Sequence, residues 1–472
     1  MTPSHSSEPK ESPLKWSRNR KQIAALTSII AVSIVTYLPA VGNFFISDDF
    51  DLFTVIEAAE RSPRWFFETT PEFFRLTSFI YFGACYWLFG LNPEPYYWAG
   101  IALHAMVSVL VYVLVKEVSG SALSAWTAGL FFAAYERHQE AVMWISAANE
   151  TILALSCLLF LSFWRRAAEH TSKRYLVLAH MMFVVALFSK EASVILVPLA
   201  ALQLALAGYS FRAILRKSIA LIVMAGLFLL LWYTVAQRNP FVTRGYYAFG
   251  FQFMSVYARS VVRLAAQLAP LGAALFIARH RLNRRNVFDG LESRLKSGVV
   301  SWRNAAIFFG AILLLAIVPY SFLTYLNHIP SRHTYLPSIG LAGLFGMAFA
   351  SIYGGMTTDR SRRICTLLVC ALLTGNISYI WLKKAPQYRE RAAPTRELIE
   401  ILNASDKPQL PLHVCRFPLD PWVFSETVKR FTRFDSSQVI LTDACDDVPG
   451  AVMLWDESSS QYRVNFSESH AD

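Results

Sequence analysis

The chain has few charged residues for its length. Asp, Glu, Lys and Arg make up only 16% of its 472 residues, whereas hydrophobic residues make up 54%. Soluble domains contain about 25% charged and about 45–50% apolar residues. The sequence also lacks internal repeats, heptad runs and low-complexity blocks. These shortages exclude a soluble globular protein, a coiled coil and a repeat array.

Long apolar runs take the place of the missing charges. They recur along most of the chain at lengths of about 18–25 residues, enough to cross about 30 Å of hydrocarbon. The first run, Ile23–Gly42, is too long for the apolar core of a signal peptide, so we interpret it as an uncleaved first helix. The pattern predicts eleven spans, at 23–42, 97–115, 121–135, 142–164, 175–189, 191–208, 217–236, 254–278, 304–325, 335–353 and 364–382.

The positive charge follows the loops between the spans. The net charge of +11 would fit a nucleic-acid partner, but residues 383–472 carry 11 Lys/Arg against 14 Asp/Glu, which leaves +14 on the rest. With the 1–22 tail inside, the cytoplasmic pieces hold 23 Lys/Arg and the outer loops hold 8. Because cytoplasmic loops of membrane proteins are enriched in Lys and Arg, this bias predicts the orientation and no nucleic-acid partner.

Three domains follow from this topology: the 1–22 cytoplasmic tail, a transmembrane domain at 23–382, and an extracytoplasmic domain at 383–472. The first outer loop, 43–96, contains the aromatic segment Phe73–Gly90, which we expect to lie flat at the interface because a further span would invert every later loop. The predicted fold class is an all-α polytopic membrane protein with a small C-terminal α/β domain.

The C-terminal domain is predicted from its polar composition and short β-rich runs. These runs are Leu412–Phe417, Ser437–Leu441 and Ala451–Leu454, and a helical piece lies near Trp422–Phe431. Cys415 and Cys445 are its two cysteines and would face an oxidising compartment, so we predict a disulfide between them. The other four cysteines lie in apolar segments and indicate packing.

Acidic residues follow the first span directly. Asp48, Asp49 and Asp51 stand at the outer edge of the membrane, where carboxylates are costly unless solvated or used. One interpretation is a solvated helix cap. The other is a general base or metal ligand at the mouth of a membrane cavity, with Asp49 ranked first and Asp48 second as the base. The sequence leaves open whether the site binds a divalent metal ion or no metal.

Two more polar clusters interrupt the apolar chain on the same side. Glu136, His138 and Glu140 lie in the hairpin between the third and fourth spans, and Lys190 and Glu191 join the fifth and sixth. A hydrated hairpin would explain the first cluster equally well. Lys190 and Glu191 adjoin apolar helix directly, which favours a position facing protein or a cavity.

Basic residues are rare on the outer side, and four of them are candidates for binding a lipid phosphate: Arg332, Lys190, Arg259 and Arg263. Arg259 and Arg263 are one helical turn apart and share a face. Guanidinium groups bind phosphate oxygens well, although cations at the ends of spans also extend to lipid headgroups without a specific ligand.

Several motifs occur in a fixed order. They are Asp48-Asp49 after the first span, Phe74–Ser78, Leu88–Pro93, Glu136–Trp144, Leu187–Glu191 and Arg332–Gly340. In this order they resemble the GT-C superfamily of membrane glycosyltransferases, in particular the branch of protein O-mannosyltransferases and tetratricopeptide-containing transmembrane O-mannosyltransferases. The resemblance covers about residues 23–345.

The resemblance implies a polyprenyl-phosphate sugar donor and an inverting single displacement onto an acceptor hydroxyl of a protein, lipid or glycan. It places the base at Asp48 or Asp49 and the phosphate contacts at the four cations. The sequence departs from the branch at Leu76, where a proline is expected, and at Glu136-Arg137, where His-Pro is expected. It also lacks tetratricopeptide repeats, and its C-terminal domain is more similar to the layout of bacterial lipid A aminoarabinose transferases. The acceptor is therefore left open.

Two other functions remain open from the sequence. A lipid or solute transporter would explain spans and intramembrane charges, although matched broken helices in inverted repeats are absent. An O-antigen polymerase or ligase would also use lipid-linked sugars, but would carry its main outer loop late in the chain. Short loops favour a bacterial inner membrane, while two outer sequons, at Asn403 and Asn465, leave the endoplasmic reticulum as the alternative.

Overall fold

The fold is described from a computed structural model of the chain. The described residues are 13–62, 64, 75–236, 243, 245–246, 250–266, 268–269, 272–273, 302–323, 329–404, 410–443 and 451–466.

Sixteen α-helices make up most of these residues. In chain order they are α1 (Pro13–Tyr37), α2 (Asp49–Arg61), α3 (Leu76–Phe89), α4 (Pro93–Ser119), α5 (Ala122–Ala134), α6 (Gln139–Met143), α7 (Ala148–His170), α8 (Lys173–Ser189), α9 (Leu196–Leu206), α10 (Phe211–Ala236), α11 (Gln252–Ala265), α12 (Trp302–Ile317), α13 (Pro337–Gly354), α14 (Asp359–Tyr379), α15 (Ala385–Ala404) and α16 (Pro421–Phe431). Short 3₁₀ turns join several of them, at Leu38–Gly42, Glu136–His138, Ile145–Ala147, Glu191–Ile195, Val318–Phe322 and Ser331–Thr334.

Seven helices of the described residues are long and apolar enough to cross a membrane. They are Asn19–Gly42, Pro93–Ser119, Ile145–His170, Phe211–Val235, Trp302–Phe322, Pro337–Gly354 and Asp359–Ala404. Shorter apolar helices stand at Leu76–Phe89, Ala122–Ala134 and Glu191–Leu206. These helices confirm the polytopic membrane fold class. Much of the second half of the predicted span 254–278 lies outside the described residues.

The segment predicted to lie flat at the interface contains helix α3, and its first two residues, 73–74, lie outside the described residues. Helix α3 has 14 residues, which corresponds to about 21 Å at 1.5 Å per residue. That length is short of the roughly 30 Å of hydrocarbon. The orientation of α3 relative to the bilayer stays a prediction, and its length is consistent with it.

The fourth predicted span begins later than expected. The sequence predicts helix from residue 142, but α7 begins at Ala148, after the turn Ile145–Ala147. The reason is that the polar hairpin continues to Ser146, whose amide and hydroxyl bind a carboxylate instead of a helical carbonyl. The start of α7 therefore belongs to the polar end of the bundle.

Glycines on one face of α13 allow its neighbours to approach closely. A Cβ atom on Gly340 would overlap the backbone of α12 at Phe309, and one on Gly346 would overlap the Ser124 carbonyl of α5. Small residues at such positions let helix backbones pack directly against each other in a bilayer. The glycines therefore fix α13 between α5 and α12.

The last span continues into the C-terminal domain without a break. Helix α14 passes through a π-helical turn, Ile380–Lys384, into α15, so the predicted domain boundary at Lys383 falls inside a continuous helix. The change to polar composition there ends the apolar surface but not the helix, which continues through Pro386 directly after the π-helical turn.

A four-stranded sheet completes the domain: β1 (Leu412–Cys415), β2 (Val439–Thr442), β3 (Ala451–Asp456) and β4 (Gln461–Phe466), in the order β2-β1-β3-β4. The first three strands are mutually parallel where they pair, and β4 is antiparallel to β3. Three predicted strands and the predicted helix α16 are present, which confirms the small α/β region. Strand β4 was not predicted.

We expect Gly346→Ala to destabilise the protein by about 1–3 kcal/mol, because the added methyl group enters a packed helix contact. The matched control is Gly375→Ala on α14, where no described atom lies within 4 Å of the added Cβ. Its stability should be unchanged or raised by up to about 1 kcal/mol, since alanine favours a helix over glycine. Thermal unfolding of both variants in detergent measures the difference, and equal melting temperatures would contradict the packing role.

Candidate active site

The acidic pair lies on a tight turn between the first span and α2. Ser47 adopts a positive φ of 43°, a conformation uncommon for residues other than glycine. Asp48 and Asp49 follow directly, and α2 begins at Asp49. Because neighbouring residues at the start of a helix point in different directions, the two carboxylates face different surroundings.

Asp49 points into the protein. Its carboxylate accepts hydrogen bonds from the Ile46 amide at 2.9 Å, from the Ser146 amide at 2.7 Å and from the Ser146 hydroxyl. The residue is 1% exposed. Burial raises the pKa of Asp49 to about 7, against the opposing effect of these hydrogen bonds. Asp49 therefore attaches the turn to the exit of the hairpin.

Asp48 points into a cavity of about 200 Å³. It shares the lining with Asp51, Arg75 and the start of α7, and the remaining walls come from α2 and α3. The lining residues are Asp48, Asp51, Leu52, Val55, Arg75, Ser78, Phe79, Phe82, Ser146 and Asn149. The cavity thus brings carboxylates and a guanidinium together beside apolar walls, a combination typical of small-molecule sites.

Arg75 connects this cavity to the polar cluster of Lys190 and Glu191. Its guanidinium lies 3.5 Å from the carboxylate of Glu191, and both side chains are only about one-sixth exposed. Glu191 therefore contributes to the site as the partner of Arg75. The sequence analysis named Arg75 within a motif but not as a site residue, because the motif alone does not show which way the side chain points.

Lys190 lies outside the cavity lining, in a buried ionic cluster. Its ammonium group pairs with Glu150, and these residues are 2% and 0% exposed. The Nδ1 atom of His333 lies 2.7 Å from the same carboxylate, and the Tyr320 hydroxyl donates to its other oxygen at 3.2 Å. Burial lowers the pKa of His333 to about 3, so the ring is neutral at pH 7.

Glu150 and His333 are residues that the sequence analysis did not select. Glu150 was counted within the fourth span, and His333 within the loop that contains Arg332. The available signal was a single carboxylate inside an apolar run, which is costly in a membrane unless a cation pairs with it. Lys190 is that cation, and the cluster joins α7, the residue after α8, the turn Val318–Phe322 after α12 and the turn Ser331–Thr334.

Arg332 binds the hairpin. Its amide donates to the Glu140 carboxylate at 3.0 Å, its guanidinium lies 3.7 Å from the same carboxylate, and it stacks 5.2 Å from the centre of the Trp144 ring. Arg332 and Glu140 are absent from the lining of the Asp48 cavity. The predicted hairpin cluster and the predicted phosphate ligand therefore meet each other, outside the lining of the Asp48 cavity.

The other hairpin residues are engaged within the bundle. Glu136 is buried and pairs with Arg137 at 2.7 Å, and His138 places Nε2 at 2.6 Å from the Ser338 hydroxyl at the start of α13. Burial lowers the pKa of His138 well below its usual range. Its neutral ring therefore fits a structural hydrogen bond better than an ionic role.

Arg259 and Arg263, which the sequence places on one helix face, have different surroundings. Arg263 of α11 donates to the Ile329 carbonyl at 3.4 Å, whereas Arg259 is exposed. Neither lines the Asp48 cavity.

Cys415 is disulfide-bonded, and its predicted partner, Cys445, lies outside the described residues. Within the described part of the chain, no three His, Cys, Asp or Glu side chains form a cluster suited to a metal ion.

The C-terminal domain touches the helix that follows the acidic turn. Arg430 of α16 forms a two-pronged pair with Glu57 of α2 and also donates to Glu426 at 2.6 Å. The adjacent Phe431 ring packs in an aromatic cluster around the turn. Its neighbours, with ring-centre distances of 5.4, 5.8, 5.9 and 6.4 Å, are Phe44, Phe45, Phe50 and Phe53.

We expect Arg430→Gln to lower the stability of the full chain by about 1–3 kcal/mol, because it removes charge-assisted hydrogen bonds from a side chain that is 6% exposed. Lys429→Gln is the control, since Lys429 is 65% exposed and lies 4.0 Å from Glu426. Similar unfolding temperatures for the two variants would contradict the attachment.

The same contact has a pH dependence. The hydrogen bond from Arg430 lowers the pKa of Glu57 below its usual 4.5. The stabilisation is therefore fully present above about pH 4.5 and lost as the pH falls through the lowered pKa of the folded state.

Comparisons with known proteins agree with this architecture. Residues 79–237 match the family described as dolichyl-phosphate-mannose-protein mannosyltransferase. No curated protein matches the chain by sequence. The crystal structure of ArnT from Cupriavidus metallidurans in the apo state is 11% identical, covers 93% of this chain and 94% of its own, and gives a TM-score of 0.51. The structure of ArnT from the same organism bound to undecaprenyl phosphate is 13% identical, covers 92% and 93%, and gives 0.48.

The family match spans the hairpin, Glu150 and Lys190, from α3 to the end of α10. The likeness to apo ArnT extends the shared fold over nearly the whole chain. Together they confirm the resemblance to membrane glycosyltransferases of the GT-C type: residues 79–237 are similar to the mannosyltransferase family, and the fold is similar to that of ArnT.

Proposed function

We propose that the protein transfers a sugar from a polyprenyl-phosphate donor to a hydroxyl group of a protein, lipid or glycan acceptor. The observation that carries this proposal is the cavity beside the first span, where Asp48 and Arg75 line the same space. A carboxylate and a guanidinium at one site suit a reaction in which a hydroxyl loses a proton and a phosphate leaves with negative charge.

In the proposed reaction the acceptor oxygen attacks the anomeric carbon as its proton passes to Asp48. The bond between that carbon and the phosphate oxygen breaks, and the lipid phosphate departs with the electron pair. A single displacement of this kind inverts the anomeric configuration. It needs one base and a stabiliser for the leaving group, with no nucleophilic carboxylate at the sugar.

Asp48 fits the role of base better than Asp49. A base must reach the proton that it accepts, so geometry is weighed before pKa. Asp48 faces the cavity, whereas both oxygens of Asp49 already accept hydrogen bonds from Ile46 and Ser146. We therefore propose Asp49 as the residue that positions the turn, in reverse of the order that the sequence favours.

Arg75 is the cation that lines the described cavity together with Asp48, and we propose that it binds the leaving phosphate. Glu191 orients its guanidinium at 3.5 Å. Arg332 is the second candidate, held across the hairpin by Glu140 and Trp144. Lys190 supports the site indirectly, since its charge is already balanced by Glu150.

The proposed location is the inner membrane of a bacterium, with the acidic cavity and the C-terminal domain on the outer side. The support is the charge of the loops, which places 23 Lys/Arg on the opposite side against 8 on the outer side. Purified protein should release polyprenyl phosphate from a polyprenyl-phosphate sugar when acceptor is present. A protein that only moves such lipids across the bilayer would leave the sugar–phosphate bond intact.

Asp48→Asn should lower turnover by about 10²–10⁴-fold while donor binding is kept, since the amide retains the size of the side chain but accepts no proton. Transfer of radiolabelled sugar and equilibrium binding of the donor measure the two effects. Asp49→Asn should differ by lowering the melting temperature as well, because its amide would present N–H groups to the donors of Ile46 and Ser146.

The control for this series is Glu60→Gln, on α2 but outside the cavity lining. Its activity should be unchanged. Full activity of Asp48→Asn would remove Asp48 as the base and return the assignment to Asp49 or Glu140.

Arg75→Gln should weaken donor binding and turnover together, because the phosphate is charged both before and during the reaction. Arg332→Gln tests the second candidate with the same loss of charge. A larger rise of KM for the donor in Arg75→Gln assigns the phosphate to the Asp48 cavity, whereas a larger rise in Arg332→Gln assigns it to the hairpin side and overturns the placement.

A further inference from the structure

A second cavity lies at the other end of the helix bundle. It has a volume of about 480 Å³ and is formed by the end of α7, the start of α8, α9 and the first turns of α10. Its size falls in the range of small-molecule sites, roughly 300–1,000 Å³. None of the roles proposed above uses it.

The two cavities stand at opposite faces of the membrane. Asn149, at the start of α7, lines the acidic cavity, and Thr171, just beyond the end of α7, lines the second one. The 22 steps along the chain from Asn149 to Thr171 correspond to about 33 Å of helix. This distance matches the thickness of the hydrocarbon core, about 30 Å. The second cavity therefore lies at the headgroup level of the leaflet opposite the acidic site.

Three cations line the second cavity: Lys173, Arg216 and Lys217. No Asp or Glu is among its lining residues, and none of the three has an ion-pair partner in the part of the chain that the structure describes. Neighbouring cations differ in this respect, since Arg165 pairs with Glu169 at 2.7 Å and Arg166 pairs with Glu117. The cavity thus concentrates positive charge that the described residues leave unbalanced.

The general enrichment of cations at this face does not explain their convergence. Arg174 and Arg212 occupy the same two helix starts and, like Lys173 and Arg216, are exposed, yet they do not line the cavity. Cations outside the cavity satisfy the charge bias of a cytoplasmic loop by themselves. Three further cations around one cavity indicate an anionic ligand.

The walls of the cavity indicate that this ligand also has an apolar part. Trp164, Leu176 and Leu204 line it beside the cations. Next to it, α10 exposes Ile219 and Val223, which are 50% and 51% exposed. These side chains would contact hydrocarbon in a bilayer, so the surface beside the cavity suits the chains of a lipid.

We propose that this cavity binds the phosphate group of an anionic lipid from the leaflet opposite the acidic site. Lys173, Arg216 and Lys217 bind the phosphate, and the lipid chains lie along α10. A phospholipid headgroup and a polyprenyl phosphate present the same charged group, so the shared ligand chemistry is a lipid phosphate. Basic pockets between membrane helices bind anionic headgroups in this way.

The test uses full-length protein in detergent, with lipid binding measured by native mass spectrometry. The probes are phosphatidylglycerol, a polyprenyl phosphate, phosphatidylcholine and inorganic phosphate. The triple variant Lys173→Gln, Arg216→Gln and Lys217→Gln should bind the anionic lipids about 100-fold more weakly, since about 1 kcal/mol for each of the three cations corresponds to a change of about two powers of ten. The matched triple variant Arg174→Gln, Arg212→Gln and Arg363→Gln removes the same charge from exposed positions and should bind normally.

A second variant leaves the charge unchanged. Ala220→Phe places a ring in the cavity, which Ala220 lines, and should also weaken anionic lipid binding. Equal losses in both triple variants, or normal binding by Ala220→Phe, would overturn the proposal in favour of diffuse attraction. If one anionic lipid binds more tightly than the other, that lipid is the one that supplies the phosphate group. If inorganic phosphate displaces both lipids at equal concentration, the lipid assignment is overturned. Because binding is the readout, the outcome is independent of transferase activity.

Discussion

The polar end of the bundle depends on one buried ion pair, Lys190 with Glu150. Removing one partner of such a pair leaves a charge without compensation and costs about 3–5 kcal/mol. His333 and Tyr320 complete the cluster, so four separate stretches of chain meet at a single carboxylate. The residues beside these four, Glu191 and Arg332, are consequently held where they meet Arg75 and Glu140. The cluster is thus the fixed point from which both proposed phosphate ligands are placed.

The acidic turn is held from two sides by different kinds of contact. On the membrane side, Asp49 accepts hydrogen bonds from the exit of the hairpin. On the side of the C-terminal domain, Phe431 packs among the aromatic residues that flank the turn, and Arg430 binds Glu57 on the helix that follows. Asp48 is the residue between these attachments that remains directed into the cavity. The C-terminal domain therefore supports the proposed catalytic residue without supplying a side chain to the cavity lining.

The sequence predicts the class of fold, and which residues lie near the site, better than it predicts the role of each residue there. Long apolar runs and the order of motifs suffice to locate the Asp48-Asp49 turn, the hairpin and Lys190. Which aspartate faces the cavity depends on the backbone at Ser47, and a change of one residue along a helix turns a side chain by about 100°. Glu150 escaped notice because hydropathy averages a single charge into its neighbours. The helix through Lys383 was missed since the composition changes there while the helix continues through a π-helical turn.

The burial of Asp49 also links folding to proton uptake. Its pKa of about 7 in the folded protein exceeds the value of 3.8 for a free aspartate. Between these two pH values the folded chain therefore binds a proton that the unfolded chain releases, and the free energy of unfolding contributed by this residue falls as the pH rises. Above about pH 7 both states are ionised and the contribution no longer changes. A change of pH on the side of the membrane that this turn faces would thus alter how firmly the turn bearing Asp48 is held.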